Sequence, residues 1–397
     1  MERSAYESAR TEPPDGFPKL PDLPLGRYTD PAFYALEQQY LWKRSWLYAA
    51  HDSELVGVGS YKLTNIADAP ILLVRGDDHV VRAFYNSCRH RGAPVVRNEC
   101  GTARMLTCQY HSWGYDLRGS LQRVPDERDF VGLERADRGF VEVRCESWGG
   151  WHFVSLAADT EPLLQSLGPL PTLLQSLTLS PWRVLNKKTA DIRCNWKIMA
   201  EAFLEVYHAR TIHPITIAPT LDTKGTVISL YDHGHQSMLS PVLPGTRGDG
   251  RDRLPMFEGT PEALRQSVNP AYGIFPNIIT PLDARGFPFL VFSPQAIDST
   301  RLEIIWFVPD WGEGDLPNRD LWDKRLARFD AVMDEDYRNL EPIQRSMEAA
   351  AHGGQTINYQ ERRIWHVHAW IDKTIGSERI EPSLRVPDLL AEWKDLP

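Results

Sequence analysis

Cys88-Arg89-His90 and, seventeen residues further on, Cys108-Gln109-Tyr110-His111 stand in the stretch CRHRGAPVVRNECGTARMLTCQYHSWGYDLRGSL, residues 88–121. One Cys-x-His pair and one Cys-x-x-His pair, each expected at the tip of a hairpin, supply two thiolates and two imidazoles. Four such ligands suit a tetrahedral zinc ion, or a [2Fe–2S] cluster with two Cys on one iron and two His on the other. Zinc ribbons normally pair C-x-x-C with C-x-x-C, which weighs against zinc. Unrelated cysteines and surface histidines are the weaker reading for four ligands so spaced.

Around this stretch, from about Trp46 to Leu156, the segments SYKLTNI, PILLVRG, HVVRAFYN, FVEVRC and WHFVSL read as short strands. Turn signals at Gly76-Asp77-Asp78 and Gly149-Gly150 part them, so a small all-β module is expected to present the metal on loops. Upstream, residues 1–26 carry Pro13, Pro14, Pro18, Pro21 and Pro24 and read as an extended arm. Asp30-Pro31 then starts a helix, Asp30 as N-cap and Pro31 at its first position, with Phe33, Leu36, Tyr40, Leu41 and Trp46 turned to the body of the protein. Residues 160–180 read as a connection. Past it come a strand over 184–194, a helix from Trp196 capped by Asn195, and four strand segments (GTVISLYDHGH, GIFPNIITPL, PFLVFSPQ, RLEIIWFVPDW) of a larger antiparallel sheet. A long amphipathic helix over 317–350 and a short polar tail over 384–397 follow. The 397 residues have room for two domains at about 150 residues each.

Composition narrows the class. A net charge of −9, with no Lys/Arg run, argues against a nucleic-acid binder. No apolar run reaches the roughly eighteen residues of a membrane span. The polar, Pro-rich N-terminus has no apolar core of a secretory signal. Five cysteines do not read as a disulfide framework and suit a reducing cytoplasm. Cys100, Cys145 and Cys194 have no ligand-like partner and read as small buried or neutral residues. With 13 Trp, 14 Tyr and 14 Phe, pockets lined by rings are available.

A second metal site is visible in NWKIMAEAFLEVYHARTIHP. Glu205 and His208 fall at i, i+3 on one helix face. His213 lies five residues past His208, about 140° round an ideal helix, so the helix must distort or end if both imidazoles are to meet one ion. In ARFDAVMDEDYRNLEPIQRSM the apolar stripe runs Phe329, Met333, Leu340, Ile343, Met347, and Asp336 falls inside it while Asp330 and Asp334 fall off it. A carboxylate facing the core is costly unless paired or bound to a cation. The bland alternative is a buried Asp satisfied by a Tyr or Arg. With two candidate histidines elsewhere, a 2-His-1-carboxylate triad is the better use, a geometry that marks non-haem Fe(II) sites.

These motifs, in this order, resemble the α subunit of Rieske non-haem iron oxygenases, the ring-hydroxylating dioxygenase family. The resemblance rests on the helix ending in Ser45-Trp46, the RAFYNSCRHRGAP and CQYHSWGYDLRGSL runs, the NWK opening and the Glu-Asp helix, and covers nearly the whole chain. It implies an α+β protein: an N-terminal arm and helix (1–45), an all-β Rieske [2Fe–2S] domain (46–157), and a larger catalytic domain (158–397) whose antiparallel sheet is flanked by helices. Carried over, Cys88, His90, Cys108 and His111 would hold the [2Fe–2S] cluster, and His208, His213 and Asp336 a mononuclear Fe(II). Glu205 matches the family's bridging carboxylate, usually Asp, which links a mononuclear-site His to a Rieske His of the neighbouring subunit. Glu at this position also occurs in relatives that oxidise betaines and carnitine. Ala202 stands where many relatives have Asn. Cysteines that often flank the Glu-x-Tyr-His run in betaine oxygenases are replaced by Val206 and Ala209, which favours neutral substrates.

The implied activity is that of a cytoplasmic terminal oxygenase. O2 and electrons passed through His111, Glu205 and His208 would hydroxylate an organic substrate, an aromatic one first, by ring hydroxylation as mono- or dioxygenase or by demethylation, as in aromatic hydrocarbon catabolism. Oxidation of a betaine- or carnitine-like quaternary ammonium is the alternative. A pure electron-transfer Rieske protein would need only the first ~160 residues and leaves the second site unexplained. The chain lacks a G-x-G-x-x-G fingerprint and a C-x4-C-x2-C motif, so a separate NAD(P)H reductase, with or without a ferredoxin, is expected to supply electrons. A homotrimer is expected, with or without a β subunit, each chain's Rieske module serving the next chain's iron. Phe203, Phe275, Ile278, Phe289, Val291 and Trp306 are the candidate pocket walls.

Overall fold

The computed structural model describes residues 13–178, 181–243, 246, 253–256, 268–350 and 352–395; the first twelve residues of the arm and the last two of the tail lie outside them. Trp42–Ser166 form one compact unit, and the chain up to Leu41 and from Leu167 onward forms the other.

In the first unit β1 (Leu47–His51), β2 (Ser60–Ile66), β3 (Ala69–Arg75), β4 (Val81–Tyr85), β5 (Cys100–Thr102), β9 (Glu142–Trp148) and β10 (Trp151–Ser155) make an antiparallel sheet in the order β1-β10-β9-β4-β3-β2-β5. A smaller sheet joins β6 (Leu106–Thr107), β7 (Gly114–Tyr115) and β8 (Leu121–Arg123). The apolar run in β3 is covered on both faces, Ile71 to Val74 being fully buried. Two-residue turns fix the registers. Gly149 and Gly150, both at positive φ, pair Trp148 with Trp151, as the Gly-Gly signal predicts. Ala67 and Asp68 make the equivalent turn between β2 and β3 at φ 45° and 65°, a conformation unusual for alanine and carrying no sequence signal. Leu72, Val74, Phe84, Val95, Leu106, Trp113, Tyr115 and Phe140 form a core that also takes in Cys88 and Cys108. Of the remaining cysteines only Cys194 is buried; Cys145 is half-buried and Cys100 is exposed on its edge strand, contrary to expectation.

The second unit is built on an antiparallel seven-stranded sheet. Its strands are β11 (Trp182–Ile192), β12 (Val227–Leu230), β13 (Gln236–Pro241), β14 (Val268–Ile274), β15 (Ile278–Pro281), β16 (Phe287–Ala296) and β17 (Ser299–Pro309), in the order β11-β17-β16-β15-β14-β13-β12. GIFPNIITPL is not one strand: it holds the end of β14, a turn and β15, whose residues pair with each other. Helix α1 (Pro31–Leu36) starts as expected, with Asp30 accepting from the Ala32 amide. Helix α2 (Trp196–Glu201) is capped by Asn195, whose amide also donates to the carbonyls of Tyr28 and Ile297. It ends at Glu201 rather than running on to the histidines. A single turn, α3 (Ala209–Ile212), follows, and α4 (Arg319–Glu348) lies against α2 and β11.

The α4 stripe differs from the expected one at a single step: Ile343 is exposed and Gln344 is buried in its place, because its side-chain oxygen receives the Asn195 amide. A further helix, α5 (Arg362–Ile375), is buried along most of its length. The C-terminal tail is less polar than expected, with Val386 and Leu390 buried. The described part of the 160–180 connection holds short helical turns at Leu163–Ser166, Leu170–Leu173 and Gln175–Thr178.

Candidate metal centres

The two Cys/His pairs share one backbone solution. The Cys88 amide donates to the Ala93 carbonyl and its carbonyl accepts from Gly92, while Cys108 does the same with Trp113 and Ser112. Gly92 and Ser112, each four residues past its cysteine, adopt positive φ (74° and 57°), which turns each loop back on its ligands. Only the second pair sits at a hairpin tip, between β6 and β7. The first occupies the long loop between β4 and β5, which do not pair with each other, because each pairs instead with other strands of the large sheet.

Both thiols are buried, Cys88 within 3.3 Å of the Tyr115 hydroxyl, and burial is the first cause that raises the Cys88 pKa. The His90 and His111 rings are 4.7 Å apart, and His90 stacks on Trp113 at 5.0 Å. The buried Nδ1 of His90 has no hydrogen-bond partner. An orphaned ring nitrogen beside two buried thiols is costly as it stands and is what a metal ligand requires, so these four residues fit a [2Fe–2S] cluster.

The second set converges on one point. His208, His213 and Asp336 offer ligand atoms that all lie within 4.8 Å of one another. The turn that achieves this is α3, with His208 at its N-cap and His213 at its C-cap. The two rings, 5.1 Å apart, flank one helical turn instead of sharing the face of a long helix, which removes the 140° difficulty. Glu205 keeps the helix from resuming before His208. Its Oε1 bonds to His208 Nδ1 while Oε2 accepts the amides of Tyr207 and His208, a side-chain cap that displaces helical hydrogen bonds. Its side chain is 10% exposed, so the carboxylate faces inward more than the sequence suggests. Asp336, between buried Met333 and Leu340 on α4, lies 3.0 Å from His213 Nε2 and 3.6 Å from His208 Nε2.

Burial pushes both imidazoles toward neutrality, yet both keep pKa values above the ordinary one. The Glu205 and Asp336 carboxylates outweigh burial for His208, and Asp336 and Glu335 do so for His213. Glu335 is a residue the sequence reading passed over. Its Oε2 lies 2.7 Å from His213 Nδ1 and accepts the Thr216 hydroxyl; these two bonds, Thr216 first, hold its carboxyl below the usual range. Two imidazoles and one carboxylate, each Nε2 turned to the shared point, fit a facial divalent-metal triad, in which the cation would displace the imidazole protons.

Beside these three residues lies a cavity of about 260 Å³. Its walls are mainly apolar, with Ile217, Met238, Ile279, Leu290 and Phe329 joined by Phe203 and Trp306 of the expected set. Phe275, Ile278, Phe289 and Val291 do not line it. Side chains alternate along a strand, and the expected phase for β15 and β16 was one residue out: Ile279 and Leu290 face the cavity, whereas Phe289 packs edge-on against Phe307. At the polar end the Arg325 guanidinium lies over both Trp306 and Trp322, donates to the Gly286 carbonyl and pairs with Asp283.

Comparison with known proteins gives two family matches: residues 45–140 match the Rieske [2Fe-2S] domain, and residues 179–377 the ring hydroxylating alpha subunit (catalytic domain). The chain is 33% identical to biphenyl 2,3-dioxygenase subunit alpha of Rhodococcus jostii (strain RHA1), over 55% of this chain and 47% of that one. It is 31% identical to the carnitine monooxygenase oxygenase subunit of Escherichia coli (strain K12), over 48% of this chain and 52% of that one. It thus spans about half the length of the curated relatives it matches. Among solved structures, a quaternary ammonium Rieske monooxygenase aligns with TM-score 0.76 at 19% identity, over 91% of this chain and 98% of that one. Naphthalene 1,2-dioxygenase from Rhodococcus sp. aligns with TM-score 0.73 at 22% identity, over 90% and 95%. Both share the fold.

Proposed function

The chain belongs to the ring-hydroxylating α-subunit family, and from that premise we propose that it is a terminal oxygenase acting on a neutral, apolar substrate, an aromatic ring first. Cys88, His90, Cys108 and His111 hold the [2Fe–2S] cluster, and His208, His213 and Asp336 hold the mononuclear Fe(II). The observation that carries this reading is the convergence of those three ligand atoms at the wall of a mainly apolar cavity. When bound, the two iron groups supply one-electron transfer and O2 activation. The chain's own residues do the rest. Glu205 fixes the His208 ring so that Nε2 faces the point where the ion would sit, Asp336 would offset one of its two positive charges, and the apolar walls exclude water from the cavity.

Electrons come from a separate reductase, with or without a ferredoxin. Assembly is a head-to-tail homotrimer, with or without a β subunit, in a cytoplasmic setting; no helix among the described residues is long and apolar enough to cross a membrane. Exposed apolar groups beside each centre support the trimer. Tyr207 (66% exposed) stands beside Glu205, which accepts its amide, and Tyr110 (55%) has its ring 3.9 Å from that of His111. Glu205 Oε1 takes one hydrogen bond and keeps a second acceptor position for His111 of a neighbouring copy.

A quaternary ammonium substrate is the second reading, favoured by Glu205 in place of the commoner Asp and by the carnitine monooxygenase among the relatives. Against it, Trp306 already carries the Arg325 cation, and Phe329 meets Trp306 edge-on, so these rings do not form an aromatic cage. The test is turnover of the reduced protein under O2 with naphthalene, biphenyl or a trimethylammonium compound, scored as product formed per O2 consumed. Coupled hydroxylation of the aromatics is expected. Coupling confined to the trimethylammonium compound would reverse the ranking, and no coupling with any organic substrate, with both metals bound, would remove the oxygenase reading.

A further inference from the structure

The two histidines of the triad are held in the same way from opposite sides. His208 Nδ1 bonds to Glu205, and His213 Nδ1 bonds to Glu335 at 2.7 Å. The first partner is the bridging carboxylate the family resemblance implies; the second has no assigned role. Glu335 is the residue immediately before Asp336 on α4, so one helix delivers both the carboxylate ligand and the carboxylate behind the second imidazole. A carboxylate on Nδ1 fixes the tautomer, leaves the Nε2 lone pair toward the ion and makes that nitrogen a better donor.

Position alone would not hold Glu335 there, because its side chain keeps 23% of its surface exposed and a glutamate has rotamers to choose among. Thr216 removes that freedom by donating its hydroxyl to the same Oε2. Thr216 is itself fixed. The turn after His213 is closed by the amides of Ile217 and Ala218 on the His213 carbonyl, and the Thr216 carbonyl accepts from Arg328. We propose that Glu335, locked by Thr216, is the positioning residue for His213: it sets which nitrogen that imidazole offers and in which direction. The inference rests on the triad holding a metal ion.

The test uses Co(II) as a spectroscopic probe, titrated into the full-length protein after the mononuclear site has been emptied by chelation and with the cluster retained. Affinity is read from the titration and ligand geometry from the visible d–d bands. Glu335→Ala is expected to weaken Co(II) binding by about 10–100-fold and to shift the bands. Glu335→Gln, which keeps an acceptor but not the charge, is expected to fall between it and the parent, and Thr216→Val to weaken binding less than Glu335→Ala. Asp334→Ala, an exposed change one residue away on the same helix, serves as the control and should leave both readouts unaltered. Unchanged affinity and bands in Glu335→Ala, while Asp336→Ala abolishes Co(II) binding, would overturn the positioning role and leave the metal site standing. Retained Co(II) binding in Asp336→Ala would overturn the site itself. If Glu335→Ala fails to fold, Glu335→Gln and Thr216→Val carry the same two readouts, and parental values in both would overturn the proposal.

Discussion

At the scale of single residues, the sharpest contrast is among the acidic neighbours on α4. Asp334 is exposed, Asp330 pairs with Lys188 at the surface, and Asp336 is 5% exposed beside two imidazoles. Asp336→Ala is expected to empty the mononuclear site and abolish turnover without altering the cluster's visible spectrum, whereas Asp334→Ala is expected to be silent in both. Iron analysis beside a cluster absorbance scan distinguishes them, and exchanged phenotypes would mean the helix register is wrong. Cys108→Ser tests the other centre. A hydroxyl is a poor substitute for a thiolate on iron, so the variant should lose the brown colour and the EPR signal of the reduced cluster. The side on which Asp336 falls was legible because a helix repeats every 3.6 residues and its apolar neighbours mark the core. Glu335 was not legible: it lies off that stripe, and its partner His213 is 122 positions away in sequence. No periodicity in α4 could have announced that pairing. Of the six expected cavity walls only two, Phe203 and Trp306, were legible, because the phase of β15 and β16 was set by pairing the sequence does not display.

At the scale of elements, α2 and its cap tie the site to the body. Asn195 is 1% exposed and its side chain makes three bonds, accepting from Lys197 and donating to the Tyr28 and Ile297 carbonyls. Asn195→Ala loses the cap and takes the donor from one buried and one part-buried carbonyl, so a loss of about 2–3 kcal/mol is expected. Calorimetry should show the catalytic unit melting earlier while the cluster absorbance of the other unit is lost at its parental temperature. The far end of α2 carries a different load. Glu201 accepts from the Tyr28 hydroxyl at 2.8 Å and bonds to His368 Nε2 at 2.8 Å, and burial, the largest cause, pushes its pKa up to about 8. The His368 tautomer follows from Arg27, which can only donate and does so to Nδ1 at 2.7 Å, leaving the ring proton on Nε2. A carboxyl whose folded pKa is raised contributes stability that is complete below its unfolded pKa and is lost as pH rises through about 8. Glu201→Gln is therefore expected to show a smaller fall in Tm between pH 5 and pH 8.5 than the parent, and an equal fall would place the pH sensitivity elsewhere. The cap at Asn195 was plain in the sequence because capping is local. The early end of α2 was not, because helix propensity runs unbroken through AEAFLEVYH, yet the Phe203 and Leu204 amides turn to carbonyls three residues back and the Glu205 carboxylate then takes the amides of Tyr207 and His208. Helix α5 escaped notice for a different reason: its buried positions include Arg363, His366, His368 and Asp372, which a sequence reading assigns to solvent.

At the scale of the whole molecule, the two units each enclose a core and each present one candidate centre, so electron transfer between centres is a question of assembly. Glu205 is already engaged, with Oε2 taking two backbone amides and Oε1 one imidazole. The remaining acceptor position on Oε1 is what a neighbouring His111 would use, and it is the charge on the carboxylate that makes such a bond strong. Glu205→Gln keeps the size and an acceptor oxygen but removes that charge. Both metals are expected to stay bound and the cluster to reduce at its parental rate, since the donor approaches the cluster and not Glu205. Reoxidation of the reduced cluster by O2 in the presence of substrate is expected to slow by about 100-fold or more. A merely structural Glu205 predicts a different pattern, with weakened iron binding and a cluster that reoxidises normally once iron is restored. Sedimentation supplies the second arm. Tyr207→Glu places a charge on the exposed apolar group beside Glu205 without touching a proposed ligand, and is expected to shift the protein from the proposed trimer to monomer and to lose turnover in step with that shift. A Tyr207→Glu monomer that retains full turnover would overturn the inter-subunit route, because a single chain would then be passing its electrons unaided.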